Sequence, residues 1–159
     1  MIFPVWKDGE LQGFQARYYG TDDLPKYITR YKNDSSLYVY VGADNPDDRD
    51  AGVVVVEDFF SAIRCSRIRN AVAILGTEMS DKCLDQVANS NDRVAIMLDD
   101  DNLTVKQKAV VIRDRLTMVG VSGIIIVKTP KGKEPKDPKE HTPKELRDIL
   151  EKVLPKKIS

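Results

Sequence analysis

The sequence predicts an α/β protein: a four-stranded parallel sheet with helices on both faces, preceded by a short mixed segment of strands and turns. Three observations lead there. Short runs of β-branched and aliphatic residues recur at residues 53–56, 71–75, 94–98 and 123–127. Stretches with helical spacing separate them, and alternation of this kind implies right-handed crossovers and a parallel sheet. The first fifty residues lack that rhythm and are rich in turn formers. The expected organisation is an N-terminal segment over residues 1–50 and an α/β unit over residues 51–159.

Along the N-terminal segment, Asp8-Gly9, Gly13, Gly20, Pro25 and Asp34 mark turns between strand-like runs at 13–19 and 37–41. Asn45-Pro46-Asp47-Asp48 reads as a solvated acidic turn. From Gly52 the pattern changes. The run Val53-Val54-Val55-Val56 suits a strand covered on both faces. A helix is expected over 59–69, then a strand over 71–75 ending at Gly76. Ser80 is placed to cap a helix over 81–88. A third strand, 94–98, leads to an amphipathic helix over 106–119 with Val110, Leu116 and Val119 among its apolar positions. The fourth strand, 123–127, runs into a loop rich in Pro, Lys and Gly. Thr142 caps a last helix over 143–153, with Pro143 at its first position and Glu145 at its third.

In open parallel sheets, ligands sit beyond the carboxyl ends of the strands. Glu57 follows the first of these strands immediately, and Asp99-Asp100-Asp101 follows the third. Spacing of two puts Asp99 and Asp101 on one side and turns Asp100 away. Three carboxylates converging at one edge repel unless a cation joins them. Oxygen donors without His or Cys suit Mg2+ or Mn2+, which keep waters and accept phosphate oxygens as further ligands. Taken singly, an acid after a strand is often an N-cap for the next helix. A receiver-type domain also gathers aspartates at strand ends; it would want an acidic pair after its first strand and a Lys after its last, and here Lys128 follows the fourth strand.

Composition narrows the classes further. With 25 basic and 25 acidic residues in 159, the formal net charge is zero, so binding to nucleic acid cannot come from bulk charge. The basic groups cluster instead at residues 128–144. The two cysteines, Cys65 and Cys83, read as buried thiols, and with one histidine they cannot make a four-ligand zinc site. No apolar run is long enough to cross a bilayer, and residues 1–6 do not form a secretory signal. A cytoplasmic protein is expected.

At this point the residues resemble a family. Val54-Val55-Val56-Glu57-Asp58-Phe59-Phe60-Ser61-Ala62 is similar to the strand-to-helix motif of the TOPRIM domain in bacterial and phage DNA primases of the DnaG type. Leu75-Gly76-Thr77 resembles the glycine turn after that domain's second strand, and Ile96-Met97-Leu98-Asp99-Asp100-Asp101 its DxD motif. Lys131-Gly132-Lys133-Glu134-Pro135-Lys136-Asp137 resembles its late acidic loop. Phe3-Pro4-Val5, Gly13-Phe14-Gln15-Ala16-Arg17, Pro25-Lys26-Tyr27, Lys32 and Leu37-Tyr38 resemble the segment that precedes the domain in primases. Each motif is weak alone. Their order over residues 3–150 makes the match specific, and the fold it implies is the Rossmann-like TOPRIM fold.

The resemblance implies metal-dependent synthesis of RNA primers on single-stranded DNA. Glu57, Asp99 and Asp101 match the metal-binding acids. Arg17, Lys26 and Lys32 match basic positions that contact template or triphosphate. Gly76, Glu134 and Asp137 are further candidates. The expected mechanism is in-line attack of a primer 3′-hydroxyl on a nucleoside triphosphate. There are departures: Asp58 stands where the family has glycine, Thr104 where it often has another, and Lys136 in place of an acid. The zinc-binding module and larger polymerase subdomain of a full primase are not recognisable. Such a module, or a helicase, is therefore expected as a separate partner. The Met1 start and polar end lead to the expectation of a complete small protein, phage-encoded. Two other readings keep the fold: a non-catalytic subunit of a split primase or replisome, and a small TOPRIM nuclease.

Overall fold

Two sheets organise the chain, and the computed structural model describes residues 1–7, 9–20, 27–32, 38–76, 78–98, 103–128 and 137–156 of it. The first is antiparallel, with strands β1 (Ile2–Lys7), β2 (Glu10–Arg17) and β3 (Tyr27–Tyr31) in that order. The hairpin between β1 and β2 turns at Gly9, whose φ of +79° suits a residue without a Cβ. Strands β1 and β3 are additional to the expected pair. Pro4 obscures β1 in the sequence, because proline argues against a central strand; here it sits in an edge strand, where it is tolerated.

The second sheet has the order β4-β6-β5-β7-β8. Its strands are β4 (Val39–Val41), β5 (Val53–Val56), β6 (Asn70–Ala73), β7 (Arg93–Ile96) and β8 (Gly123–Ile126). The last four are mutually parallel, as the sequence predicts. To these the structure adds β4, which pairs antiparallel with β6 at one edge. Helices α1 (Phe59–Ser66), α2 (Asp81–Ser90), α3 (Leu103–Met118) and α4 (Pro143–Val153) connect or follow the strands.

The all-valine β5 shows why the sheet is covered twice. Val54 and Val56 pack with Ala62 and Cys65 of α1 and Leu146 and Leu150 of α4. Val53 and Val55 pack with Cys83 and Val87 of α2 and Ile112 and Leu116 of α3. Each such valine contributes about 1.5–3 kcal/mol of burial. The α3 stripe is Val105, Ala109, Ile112 and Leu116, so of the three apolar positions expected there only Leu116 is buried. Val110 faces outward, 39% exposed, on an outer face of α3 that is itself partly apolar, and Val119 follows the last residue of the helix, 45% exposed.

Helix α1 ends at Ser66 rather than residue 69. The amides of Ile68 and Arg69 both donate to the Cys65 carbonyl, turning the chain so that Arg69 points inward. Arg69 is fully buried, and its guanidinium meets Asp48 at 3.1 Å and the Leu154 carbonyl at 2.9 Å. The acidic turn is therefore not solvated throughout. Residues Pro46–Ala51 form a 3-10 helix capped by Asn45, and Asp48 lies inside it, paired with Arg69 and with Lys156.

The first sheet lies over the start of α1. Phe3 packs edge-on against Phe60 and tilted against Phe59, with centroids 4.8 and 5.4 Å apart. Buried Gln15 accepts the Phe59 amide at 3.4 Å, and Val5 joins the core beneath α1 and α4.

Candidate functional site at the carboxyl edge of the sheet

From β5 the chain passes through α1 to β6 on one side, then through α2 to β7 on the other. The point where the direction reverses lies between β5 and β7, and crevices at such points take ligands. Glu57 stands there, one residue past β5. Val55 pairs with Ile96, so continuing the register by two residues sets Glu57 beside Leu98. Asp99 and Asp101 come next in the chain and lie outside the described residues, as do Lys26 and Glu134. Among the described residues no three His, Cys, Asp or Glu side chains cluster as a metal site would require.

The local sequence fixes Glu57 from both sides. Its carbonyl accepts the Leu75 amide at 3.0 Å, extending the pairing with β6 beyond the strand. Leu75 adopts φ +51°, a left-handed conformation that costs a non-glycine residue roughly 1–2 kcal/mol. Burial of its side chain holds it there. Gly76 follows, and a Cβ on it would come within 3.2 Å of the Tyr31 hydroxyl. Its value here is close approach to β3; the positive φ belongs to its neighbour.

On the other side, Asp58 caps α1. Its Oδ1 accepts the amides of Phe60 and Ser61 at 2.9 and 3.2 Å, and its Oδ2 accepts the Ser61 hydroxyl at 2.8 Å. The Lys139 ammonium also donates to Oδ2, at 2.8 Å, and to Asp137. Burial pulls the Lys139 pKa down, but hydrogen bonds from Asp137 and Asp58 outweigh it and hold it above the ordinary lysine value. Asp137 thus reaches the corner beside Glu57 through Lys139, and one of the lysines of the basic stretch is an internal ion-pair partner.

Arg17, at the end of β2, lies over the Phe60 ring in the first turn of α1, 5.5 Å from its centroid, and 5.1 Å from that of Tyr19. Lys32 does not join it. Its amide bonds to Gln12, five residues before Arg17, which separates the two backbones by roughly 17 Å along β2. The Lys32 ammonium pairs with Glu10 at 3.5 Å on the surface. The edge therefore gathers Glu57, Arg17, Gly76 and Asp137, while Lys32 lies apart. The roles of Asp58 and Lys139 were missed in the sequence. An acid directly before a helical run is itself a cap signal for Asp58, but Lys139 is 81 residues away and carries no local signal. Cys65 and Cys83 are buried, and burial pushes both thiols up to about 12, with Asp58 adding to the effect at Cys65. They are packing groups, as expected.

No protein-family model matches the chain. It is similar to the DNA primase of Listeria innocua, 25% identical over 150 residues, covering 86% of this chain and 23% of that protein. It is likewise similar to the DNA primase of Rickettsia typhi, 29% identical over 159 residues, covering 94% of this chain and 26% of that one. The chain thus spans about a quarter of the length of these relatives. Its fold matches the zinc-binding and RNA polymerase domains of the Aquifex aeolicus primase with a TM-score of 0.71 at 24% identity, covering 96% of this chain and 39% of that one. It matches a DnaG primase catalytic domain bound to single-stranded DNA with a TM-score of 0.69 at 21% identity, covering 96% and 50%. The resemblance to the TOPRIM domain of DnaG-type primases thus holds in sequence and in fold.

Proposed function

We propose that this chain is the TOPRIM catalytic core of a DNA primase, a nucleotidyltransferase that synthesises RNA primers on single-stranded DNA. The observation that supports it most is Glu57 at the switch point of the sheet, beside the strand that leads into Asp99 and Asp101, in a chain similar to primases over most of its length. Residues 51–159 are read as the TOPRIM unit and residues 1–50 as a primase-like segment that also lends it an edge strand. The protein acts in the cytoplasm, on a replicating phage or cellular genome, with a zinc-binding module or helicase as partner. Among the described residues no helix is long and apolar enough to cross a membrane.

The donor set fits Mg2+ or Mn2+. Glu57 is half-buried at the edge, and the neighbouring Cys65 is sealed in the core and unsuited to compete as a ligand. Glu57, Asp99 and Asp101 would hold the ion. Bound there, it would supply positive charge for the negative charge of the triphosphate. The protein's own groups orient the reactants. Arg17 would offer donors to phosphate from over α1; Lys26 is read as a further template or triphosphate contact, and Lys32, which lies apart from this edge, would meet nucleic acid only at a distance from it.

One observation favours the alternative of a binding subunit without synthesis. The Lys139 ammonium stands against the acid after Glu57, a cation at the edge where a second metal ion would be repelled. A small TOPRIM nuclease is the remaining reading. Calorimetry with Mn2+ is the first test, on wild type and an Asp99→Ala, Asp101→Ala double variant. Loss of binding in the variant alone supports the site, and absence of binding to wild type overturns it. Extension of labelled ribonucleotides on single-stranded DNA then separates synthesis from binding. Cleavage of labelled DNA without triphosphates identifies the nuclease.

A further inference from the structure

The Asp58–Lys139–Asp137 cluster is unusual for a surface loop that sequence alone would leave in solvent. All three side chains are nearly buried, with exposures of 7%, 13% and 15%. An ionised carboxylate as enclosed as Asp58 requires a full set of donors and a countercharge. Two amides, the Ser61 hydroxyl and the Lys139 ammonium provide them. Lys139 sits in a 3-10 turn, Pro138–Glu140, stiffened by Pro138 and by the Glu140 carboxylate accepting the Asp137 amide at 3.0 Å. Arg64 of α1 adds a bond to the His141 carbonyl at 3.1 Å. The chain leaving β8 therefore returns to α1 and is fastened there, against the residue next to Glu57.

We propose that Lys139 is a positioning residue for the candidate site: by bridging Asp58 and Asp137 it holds the strand-to-helix corner that carries Glu57 and anchors the returning segment at the same edge. This rests on the reading of Glu57 as a metal ligand. The Glu57 carbonyl accepts the Leu75 amide, which ties this point of the chain to the end of β6. The next residue is tied as well, because the Asp58 carboxylate that caps α1 is held by Lys139. Groups that orient ligands from behind typically change metal affinity 10- to 100-fold when removed.

The test compares wild type with Lys139→Met, which keeps length and removes charge, well below the melting point of each. Two quantities are read: Mn2+ affinity by calorimetry, and hydrogen exchange at the amides of Ser61 and Leu75. The expected result is a loss of about 10- to 100-fold in affinity, together with faster exchange at both amides. Asp137→Asn leaves the Asp58 pair in place. It is expected to lose less of both, and it decides the matter if Lys139→Met does not fold. A folded variant with wild-type affinity overturns the positioning role, whether or not exchange changes. If wild type binds no Mn2+, the metal reading fails, and exchange alone decides whether Lys139 holds the corner: faster exchange sustains that, unchanged exchange overturns it.

Discussion

At the amino edge of the parallel sheet, Arg69 is fully buried against Asp48 and two carbonyls, with Lys156 closing over the pair. At the carboxyl edge, Glu57 is half-buried beside a left-handed Leu75 and a capped Asp58. Both edges use charge in place of apolar packing. At the amino edge one carboxylate, Asp48, sits between two cations, Arg69 and Lys156. Burial lowers the Arg69 pKa, while the carboxylates of Asp48 and then Glu151 push it back up. At the carboxyl edge, Asp58 and Asp137 share Lys139 beside Glu57, where the switch point opens. The difference separates a closure from a site: one edge should lose stability when altered, the other should lose binding.

The strongest way to break that contrast is at Arg69. Arg69→Met leaves Asp48 buried with only Lys156, and about 3–5 kcal/mol of stability should be lost in urea unfolding. A loss below 1 kcal/mol would mean that Asp48 is solvated and the amino edge is not a closure. Next is Gly52, which enters β5 at φ +122° with the Arg93 carbonyl 2.5 Å from where a Cβ would stand. Gly52→Ala should cost about 1–3 kcal/mol, and its melting temperature reports this. At the other edge, Glu57→Gln should change unfolding free energy by no more than about 0.5 kcal/mol yet abolish measurable Mn2+ binding in a titration. An unfolding penalty there, with Mn2+ binding kept, would invert the comparison. The smallest effect belongs to Lys32→Ala. Its exposed pair with Glu10 is worth about 0.5 kcal/mol or less, visible only as a slight shift in urea midpoint.

What was legible in the sequence follows the range of the interactions. Strands β5 to β8 and the caps at Ser80 and Thr142 depend on neighbours within a few residues, and they stand where the pattern put them. Glu57 was legible because its place follows from a strand and a topology rule. The antiparallel docking of β4 onto β6 was not, since Val39–Val41 meets Ala71–Ala73 across thirty-odd residues of unrelated pattern. Asp48 read as solvated because its partner Arg69 lies 21 residues on. Val110 was read among the apolar positions of the helix together with Leu116, yet only Leu116 is buried, because α3 is apolar on more than one side and periodicity cannot rank two stripes of similar character. The fate of Asp99 and Asp101 was argued from the strand before them, and they lie outside the described residues.

The bridge from Lys139 to Asp58 also bears on the order in which the molecule forms. It joins residues 81 apart in the chain, so the loop it closes is long and its entropy cost falls late. Local helices and the pairing of β5 with β6 need far shorter loops and can form first. The bridge should then be absent from the rate-limiting assembly, so its removal should speed unfolding and leave the refolding limb of a chevron nearly unchanged. The candidate site would be among the last parts of the fold to close and the first to open.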